Sequence, residues 1–283
     1  MKVPLGWLRE YVDLPKDSQA IADTLAQLGF PVDGIERRPT LSGIVVGKIT
    51  KLEKHPNADR LQIGTIDVGG PTLQIATAAT NVAVGQVIPV ATIRAVLPQI
   101  KIERRKMRGF ESEGMMCSAE ELGLPADWFE DGIMQLDPDT ALGADAIGLF
   151  ALQDDVLDVD ITSNRVDAMS MIGLARELSA ALHVALRLPD FSNPGAQTDD
   201  ADMPTVSIES PDCTRFVVQR FTTIRVGTAP ALLRIRLALA GQRPINNIVD
   251  ISNYVMLEVG QPLHFYDDAR ISRHHLIVRD ARA

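Results

Sequence analysis

An α+β chain of more than one domain is what this sequence predicts, and three observations predict it. Residues 17–29 and 168–182 carry apolar positions at helical spacing, residues 41–90 switch to short alternating runs between turn residues, and strand and helix patterns resume together beyond residue 204. The 283 residues are 46% hydrophobic and 23% charged, enough to bury a core in about two or three domains.

In residues 17–29, Asp17 or Ser18 can cap the first helical turn, Ile21, Ala22, Leu25 and Leu28 share a face, and Gly29 can stop the helix. The runs Ile44-Val45-Val46-Gly47-Lys48-Ile49, Leu61-Gln62-Ile63-Gly64-Thr65-Ile66, Leu73-Gln74-Ile75 and Val87-Ile88-Pro89-Val90 follow. They are separated by Pro56-Asn57, Gly69-Gly70-Pro71 and Asn81. Short strands at near-regular spacing predict a small antiparallel barrel. A piece from residue 39 to 149 is expected to fold alone, because its strands are sequential and both ends reach polar connectors. Residues 126–160, rich in Asp, Gly and Pro, read as an acidic connector, and residues 189–204 as a linker. Beyond it, 206–208 and 216–226 have strand character, 231–240 is helical, and 276–278 is a strand whose neighbours have not yet appeared. The polypeptide is therefore expected to end inside a domain.

No stretch approaches the roughly 18 uninterrupted apolar residues of a membrane span, and Met1-Lys2-Val3-Pro4 does not open a signal peptide, so a cytoplasmic location and no membrane partner are expected. Cys117 and Cys213 lie far apart, which excludes a disulfide framework and a paired-cysteine metal site. There is no GxxxxGK[ST] phosphate loop and no His/Cys/Asp cluster at metal spacing, so no metal or cofactor is expected in this chain. The net charge of −9 argues against indiscriminate nucleic-acid binding. Its distribution is uneven: residues 40–125 hold ten Lys and Arg against eight Asp and Glu, a balance of +2 that leaves −11 for the remainder. Lys101, Arg104, Arg105, Lys106 and Arg108 fall within eight residues containing one acid, Glu103, and suit either a phosphate-binding stripe or a solvated hairpin face. Phe110 is the one aromatic of residues 40–125, so a base-stacking platform is missing and the barrel suits the backbone and shape of folded RNA.

Three sets of motifs carry a family resemblance. His55-Pro56-Asn57-Ala58-Asp59-Arg60-Leu61, Thr77 to Val82, and Arg108-Gly109 through Glu113-Gly114-Met115-Met116-Cys117-Ser118-Ala119-Glu120-Glu121-Leu122-Gly123 together resemble the tRNA-binding OB domain of synthetase-associated proteins. Each piece alone also reads as a tight turn or a capped helical turn. Before the barrel, Val3-Pro4-Leu5-Gly6-Trp7-Leu8-Arg9-Glu10-Tyr11-Val12, and after it, Asp160-Ile161-Thr162-Ser163-Asn164-Arg165-Val166-Asp167 with Gly173-Leu174-Ala175-Arg176-Glu177-Leu178, resemble the split helical domain of the bacterial phenylalanyl-tRNA synthetase β subunit. Residues 241–258, running on to Gly260-Gln261-Pro262-Leu263-His264, resemble the first half of that family's B3/B4 editing domain. There are departures: Thr77-Ala78 stands for Cys-Gly, Ser163 for proline, Phe265-Tyr266-Asp267 for Ala-Phe-Asp, and Ala231-Leu232 for a polar residue followed by Trp.

The resemblance implies an α+β multidomain fold: a helical α+β domain split between 1–39 and 150–190, an OB barrel at 40–149 inserted into it, a linker at 191–204, and the first part of an editing domain at 205–283. It implies tRNA contacts at Lys101, Arg104, Arg105, Lys106 and Arg108, with Asn81, Ser112, Met115 and Ser118. It also implies an editing half-site in which Ser252 and Asn253 supply hydrogen bonds and His264 orients a water or the terminal ribose. The implied partners are tRNA for phenylalanine and a catalytic α subunit in an (αβ)₂ assembly, with ATP and Mg²⁺ serving the whole enzyme. This chain alone is expected not to be catalytic. One alternative is a free-standing tRNA-binding or chaperone-like OB module, and residues 160–177 and 241–264 argue against it because such a module needs neither segment. A second alternative is a structural role in which the acidic surface only docks a synthetase partner.

Overall fold

The computed structural model describes residues 1–190, 192 and 203–281, so most of the expected linker at 189–204 lies outside the described residues. The chain opens with strand β1 (Lys2–Pro4), the single-turn helix α1 (Leu5–Leu8), helix α2 (Ser18–Gln27) and strand β2 (Val32–Glu36). Helix α2 forms as its sequence asks. The Asp17 carboxylate accepts from the Gln19 amide at its start, Ile21, Ala22 and Leu25 turn inward, and Gly29 leaves the helix at φ +88°.

The barrel follows: β3 (Ser42–Lys54), β4 (Gln62–Asp67), β5 (Thr72–Thr77), β6 (Val87–Val96), a hairpin of β7 (Arg105–Met107) and β8 (Phe110–Ser112), and β9 (Gly114–Met116). The four alternating runs of the sequence all lie within or against these strands. Five of them pair antiparallel in the order β5-β4-β3-β6-β9, and the sheet curls until its edges meet, with the Glu113 amide donating to the Gln74 carbonyl at 2.9 Å. Ile49, Ile66, Ile75, Ile88, Val90 and Met116 fill the inside. Tight closure sets its own demand at Gly47, where a Cβ would stand 2.7 Å from the Ile66 Cγ2 and 2.9 Å from the Val90 Cγ2.

After the barrel come helix α3 (Ala146–Leu149), capped by Asp145, then strand β10 (Val156–Val159) and helix α4 (Met171–Leu182). The acidic stretch at 126–160 is thus more than a connector. Strand β10 inserts between β1 and β2, antiparallel to both, with Val3 opposite Leu157 and Ile35 opposite Leu157 on the other side. One core results, in which Val3, Leu5, Trp7, Ile21, Leu25 and Phe30 from before the barrel meet Leu157, Val159, Leu174 and Leu178 from after it. At the seam, Asp155 accepts from the Ser18 hydroxyl, the Arg38 amide and the Arg37 guanidinium. Burial alone would push this carboxyl up, but those three donors outweigh it and hold it below the ordinary carboxylate range.

The remaining elements are β11 (Thr205–Ile208), α5 (Ala231–Leu239), α6 (Asn247–Val259) and β12 (His275–Val278). Strands β11 and β12 pair in parallel, from Thr205 opposite His275 to Ile208 opposite Val278. Residues 216–226, which have strand character in sequence, form no strand. No neighbouring strand hydrogen-bonds to them among the described residues, and Val217, Phe221 and Val226 stand exposed. Alternating apolar residues favour a strand only where a partner takes up their backbone groups.

Helix α5 is placed differently from the other late elements. Ala231, Ile235 and Leu239 belong to the cluster under the barrel, beside Leu41, Ala91, Phe150 and Leu152. Leu237 and Ala240 belong to the core of the split unit, beside Trp7 and Leu8. Polar ties follow the same pattern: the Ala231 amide donates to Asp137 at 3.0 Å and the Arg234 guanidinium to the Gln135 carbonyl at 2.9 Å, whereas Arg236 donates to Glu10 and to the Tyr254 hydroxyl. The ring of Tyr254, on α6, stacks on Trp7 with centroids 4.6 Å apart.

A piece ending at residue 149 therefore lacks Leu152, Val156, Ala231, Ile235 and Leu239 from its core, which revises the expectation that 39–149 folds alone. Truncating Ile235, fully buried in that cluster, to Ala should lower the unfolding free energy by about 2–4 kcal/mol. Urea titration of the full chain checks it. A loss under about 0.5 kcal/mol would show that α5 contributes little to the barrel.

Candidate functional site

The five clustered cations sit on or beside the β7–β8 hairpin, and all five are exposed. Its register pairs Arg105 with Ser112, Lys106 with Glu111 and Met107 with Phe110. The two-residue turn between them is Arg108-Gly109, at φ 51° and 92°, the left-handed pair that lets a tight hairpin match strand twist. Because side chains alternate across a strand, Arg104 and Lys106 share the Glu111 side, while Arg105 projects to the other side with Met107. Arg104 is also held by Glu111 at 3.0 Å. The stripe of the sequence is thus two groups of cations on two faces. Lys101 belongs to a preceding turn, bridged to Val96, and beside it Arg94 is exposed at φ 73° with its amide on the Ile102 carbonyl. Sequence reading passed over Arg94, whose one signal was a charge interrupting the apolar run of β6.

The other residues implied in tRNA contact have internal work. Ser112 is buried, its hydroxyl accepting from the Ala76 amide at 3.2 Å and donating to the Gly114 carbonyl at 3.0 Å. The Asn81 side chain pairs both ways with the backbone of Ile133, at 2.9 and 3.0 Å. Ser118 and Glu121 exchange hydrogen bonds as a capping box. Met115, half-buried on β9, packs against the core beneath the barrel. Of these four, Ser112 lies on the hairpin itself, and the other three hold neighbouring parts of the barrel together.

The His55-Pro56-Asn57 motif lies against the same hairpin. His55 is buried, its Nε2 3.0 Å from the Met107 carbonyl and its Nδ1 accepting from the Asn57 amide at 3.1 Å. Phe110 meets the His55 ring edge-on at 6.0 Å and is half-buried, so its face is not an open platform for a base.

Of the residues implied in editing, Ser252 and Asn253 are half-buried on α6, which Asn246 caps at its start and Gly260 ends at φ +81°. The Ser252 hydroxyl donates to the Val249 carbonyl at 2.7 Å and keeps its lone pairs for a further donor. His264 lies beyond the helix end, exposed, its ring 4.5 Å from that of Tyr266. Among the described residues no hydrogen bond joins it to Ser252 or Asn253. A recess of about 390 Å³ begins at the next residue, lined by Phe265, Tyr266, Asp267, Arg270, His275 and Leu276 among others. Cys117 offers no nucleophile, since burial pushes its thiol up to about 12. Among the described residues no group of three or more His, Cys, Asp or Glu could hold a metal ion, and no helix is long and apolar enough to cross a membrane.

Two family models match the chain: "Putative tRNA binding domain" over residues 44–145 and "B3/4 domain" over residues 212–283. Similarity to curated proteins extends over the whole of this chain. A phenylalanine–tRNA ligase beta subunit from Moorella thermoacetica is 43% identical over 99% of this chain, and those from Anaeromyxobacter dehalogenans and Symbiobacterium thermophilum are each 41% identical over 100% of it. The chain is a homologue of phenylalanine–tRNA ligase beta subunits. It covers 36%, 35% and 32% of those three proteins, aligning with their amino-terminal part, and so spans about a third of their length. Because the match runs through both flanks of the barrel, the free-standing module is not favoured. The mixed α/β architecture with a nearly closed five-stranded barrel agrees with an OB fold beside a B3/4 unit. One solved structure, the C-terminal domain of Plasmodium vivax p43, overlaps 35% of the chain at 24% identity with a TM-score of 0.25, too low to bear on the fold.

Proposed function

We propose that the chain is the tRNA-binding and editing-associated portion of a phenylalanine–tRNA ligase beta subunit. In the complete cytoplasmic enzyme it works with a catalytic α subunit in an (αβ)₂ assembly, and ATP and Mg²⁺ serve the attachment of phenylalanine to its tRNA. The single observation that carries the reading is the exposed cationic hairpin, built on a barrel that matches a tRNA-binding family, in a chain of net charge −9. The domain organisation proposed with it is a split helical unit at 1–39 and 150–190, the barrel at 40–149, a linker at 191–204 and an editing unit from 205.

Binding comes from the phosphate backbone. Lys101, Arg104, Arg105, Lys106 and Arg108 neutralise phosphates, with Asn81, Ser112, Met115 and Ser118 holding the surface in shape. Editing, in this reading, places the ester of a mischarged tyrosine near His264, with Ser252 and Asn253 as hydrogen-bonding groups. Those groups contribute effective molarity only when enclosed, and His264 is exposed here. The chain therefore holds part of a site.

If about three or four phosphates are neutralised, log affinity for tRNA for phenylalanine falls against log salt with a slope of about −3. Charge reversal of Arg104, Arg105 and Lys106 together should flatten it, and Glu111→Gln, which releases Arg104, should steepen it. A slope untouched by both changes would reduce the hairpin to a solvated face. In a second assay, release of labelled tyrosine from mischarged tRNA should stay at background with this chain. The chain joined to the rest of a beta subunit should release it, about a hundredfold or more slower once His264 becomes Ala. Release by the 283-residue chain itself would overturn the partial-site reading.

A further inference from the structure

We propose that His55 is a positioning residue for nucleic-acid binding: a neutral imidazole, protonated at Nε2, that latches the tip of the cationic hairpin to the loop following β3. The inference rests on the tRNA-binding reading above and adds to it the part that holds the cations in place.

Strands β7 and β8 have three residues each and pair only with one another, and a lone two-stranded hairpin of that length is marginal in water. Two ties hold it to the barrel. At its base, Ser112 takes the Ala76 amide and the Glu113 amide reaches the Gln74 carbonyl, both on β5. At its tip, His55 reaches the Met107 carbonyl at 3.0 Å and the Asn57 side chain reaches the Arg108 carbonyl at 3.4 Å, so the two carbonyls that open the turn are both taken by the His-Pro-Asn loop. That loop is closed on itself by the His55 amide on the Leu61 carbonyl at 3.0 Å.

The tautomer follows from the donors. An amide N–H points at Nδ1, so Nδ1 carries a lone pair, and the one ring proton sits on Nε2 and is donated to Met107. One nitrogen therefore organises the loop and the other grips the hairpin. His55 is 5% exposed, so neither bond competes with water. Arg105, Lys106 and Arg108 all lie within three residues of the gripped carbonyl. Released, they would have to be ordered at the moment of binding, and that ordering subtracts from affinity.

Two substitutions separate the two nitrogens. His55→Gln keeps an amide far enough along the side chain to donate to Met107, whereas His55→Asn keeps a near oxygen for the Asn57 amide and loses the reach to the hairpin. With the full chain and tRNA for phenylalanine at low salt, His55→Asn should weaken binding about tenfold and His55→Gln by less than about threefold. Hydrogen exchange of the amides at 105–112 should quicken in the Asn variant alone, and thermal unfolding should show both variants folded. Equal affinity of the Asn variant and the wild type, or equal loss in both variants, overturns the latch. If the wild type does not bind tRNA, the tRNA-binding reading fails instead, and unchanged exchange in the Asn variant would still refute the grip on the hairpin.

Discussion

The burial of helix α5 between two cores is the constraint on which the rest of this structure depends. Its sequence from Ala231 to Leu239 is apolar on nearly every side, and a helix of that kind must be covered all round. One face completes the cluster beneath the barrel and another completes the split unit. The two charges that interrupt it are absorbed, Arg234 over the Phe129 ring and Arg236 over Trp7 with Glu10 and Tyr254 as partners. Barrel, split unit and α6 are thereby fixed to one another, and α6 carries Ser252 and Asn253.

Such a frame gives the cations something rigid to stand on. The hairpin has no core of its own, so its geometry is inherited from β5 at one end and from the His55 loop at the other. Each link is short-ranged and joins a buried polar side chain, Ser112 or His55, to a backbone amide or carbonyl, which accounts for buried polar residues in a region expected to face RNA. An electrostatic surface on an acidic molecule works only where its charges are held together, and here hydrogen bonds rather than apolar packing hold them.

Much of the fold was legible because local rules and tertiary packing agreed. The α2 cap at Asp17 and stop at Gly29 and the period-two runs of the barrel appear where the residues place them, and the helical spacing of 168–182 becomes α4. Residues 216–226 misled because alternation reports a preference and cannot supply a partner strand. The division of the cations onto two faces was hidden until register was known, since a run such as Arg104 to Lys106 reads as one patch until alternation separates its members. The double role of α5 was hidden for a related reason: an all-apolar helix announces burial without naming what buries it. Similarly, Ser112 and Asn81 read as surface polar residues until the Ala76 amide and the Ile133 backbone claimed them. His264 stood out in sequence, but its exposure depends on which walls surround it, which no local pattern encodes.

If α5 joins the two cores as described, the barrel and the split unit cannot unfold separately. The chain holds two tryptophans, so a Trp128→Phe variant leaves Trp7, buried in the split unit against Tyr254, as the one indole reporter. Strand circular dichroism reports chiefly on the barrel. Followed together through a urea titration, the two signals should lose structure at a single midpoint with the same slope. Two separated midpoints, with Trp7 exposed while the strand signal persists or the reverse, would contradict the account.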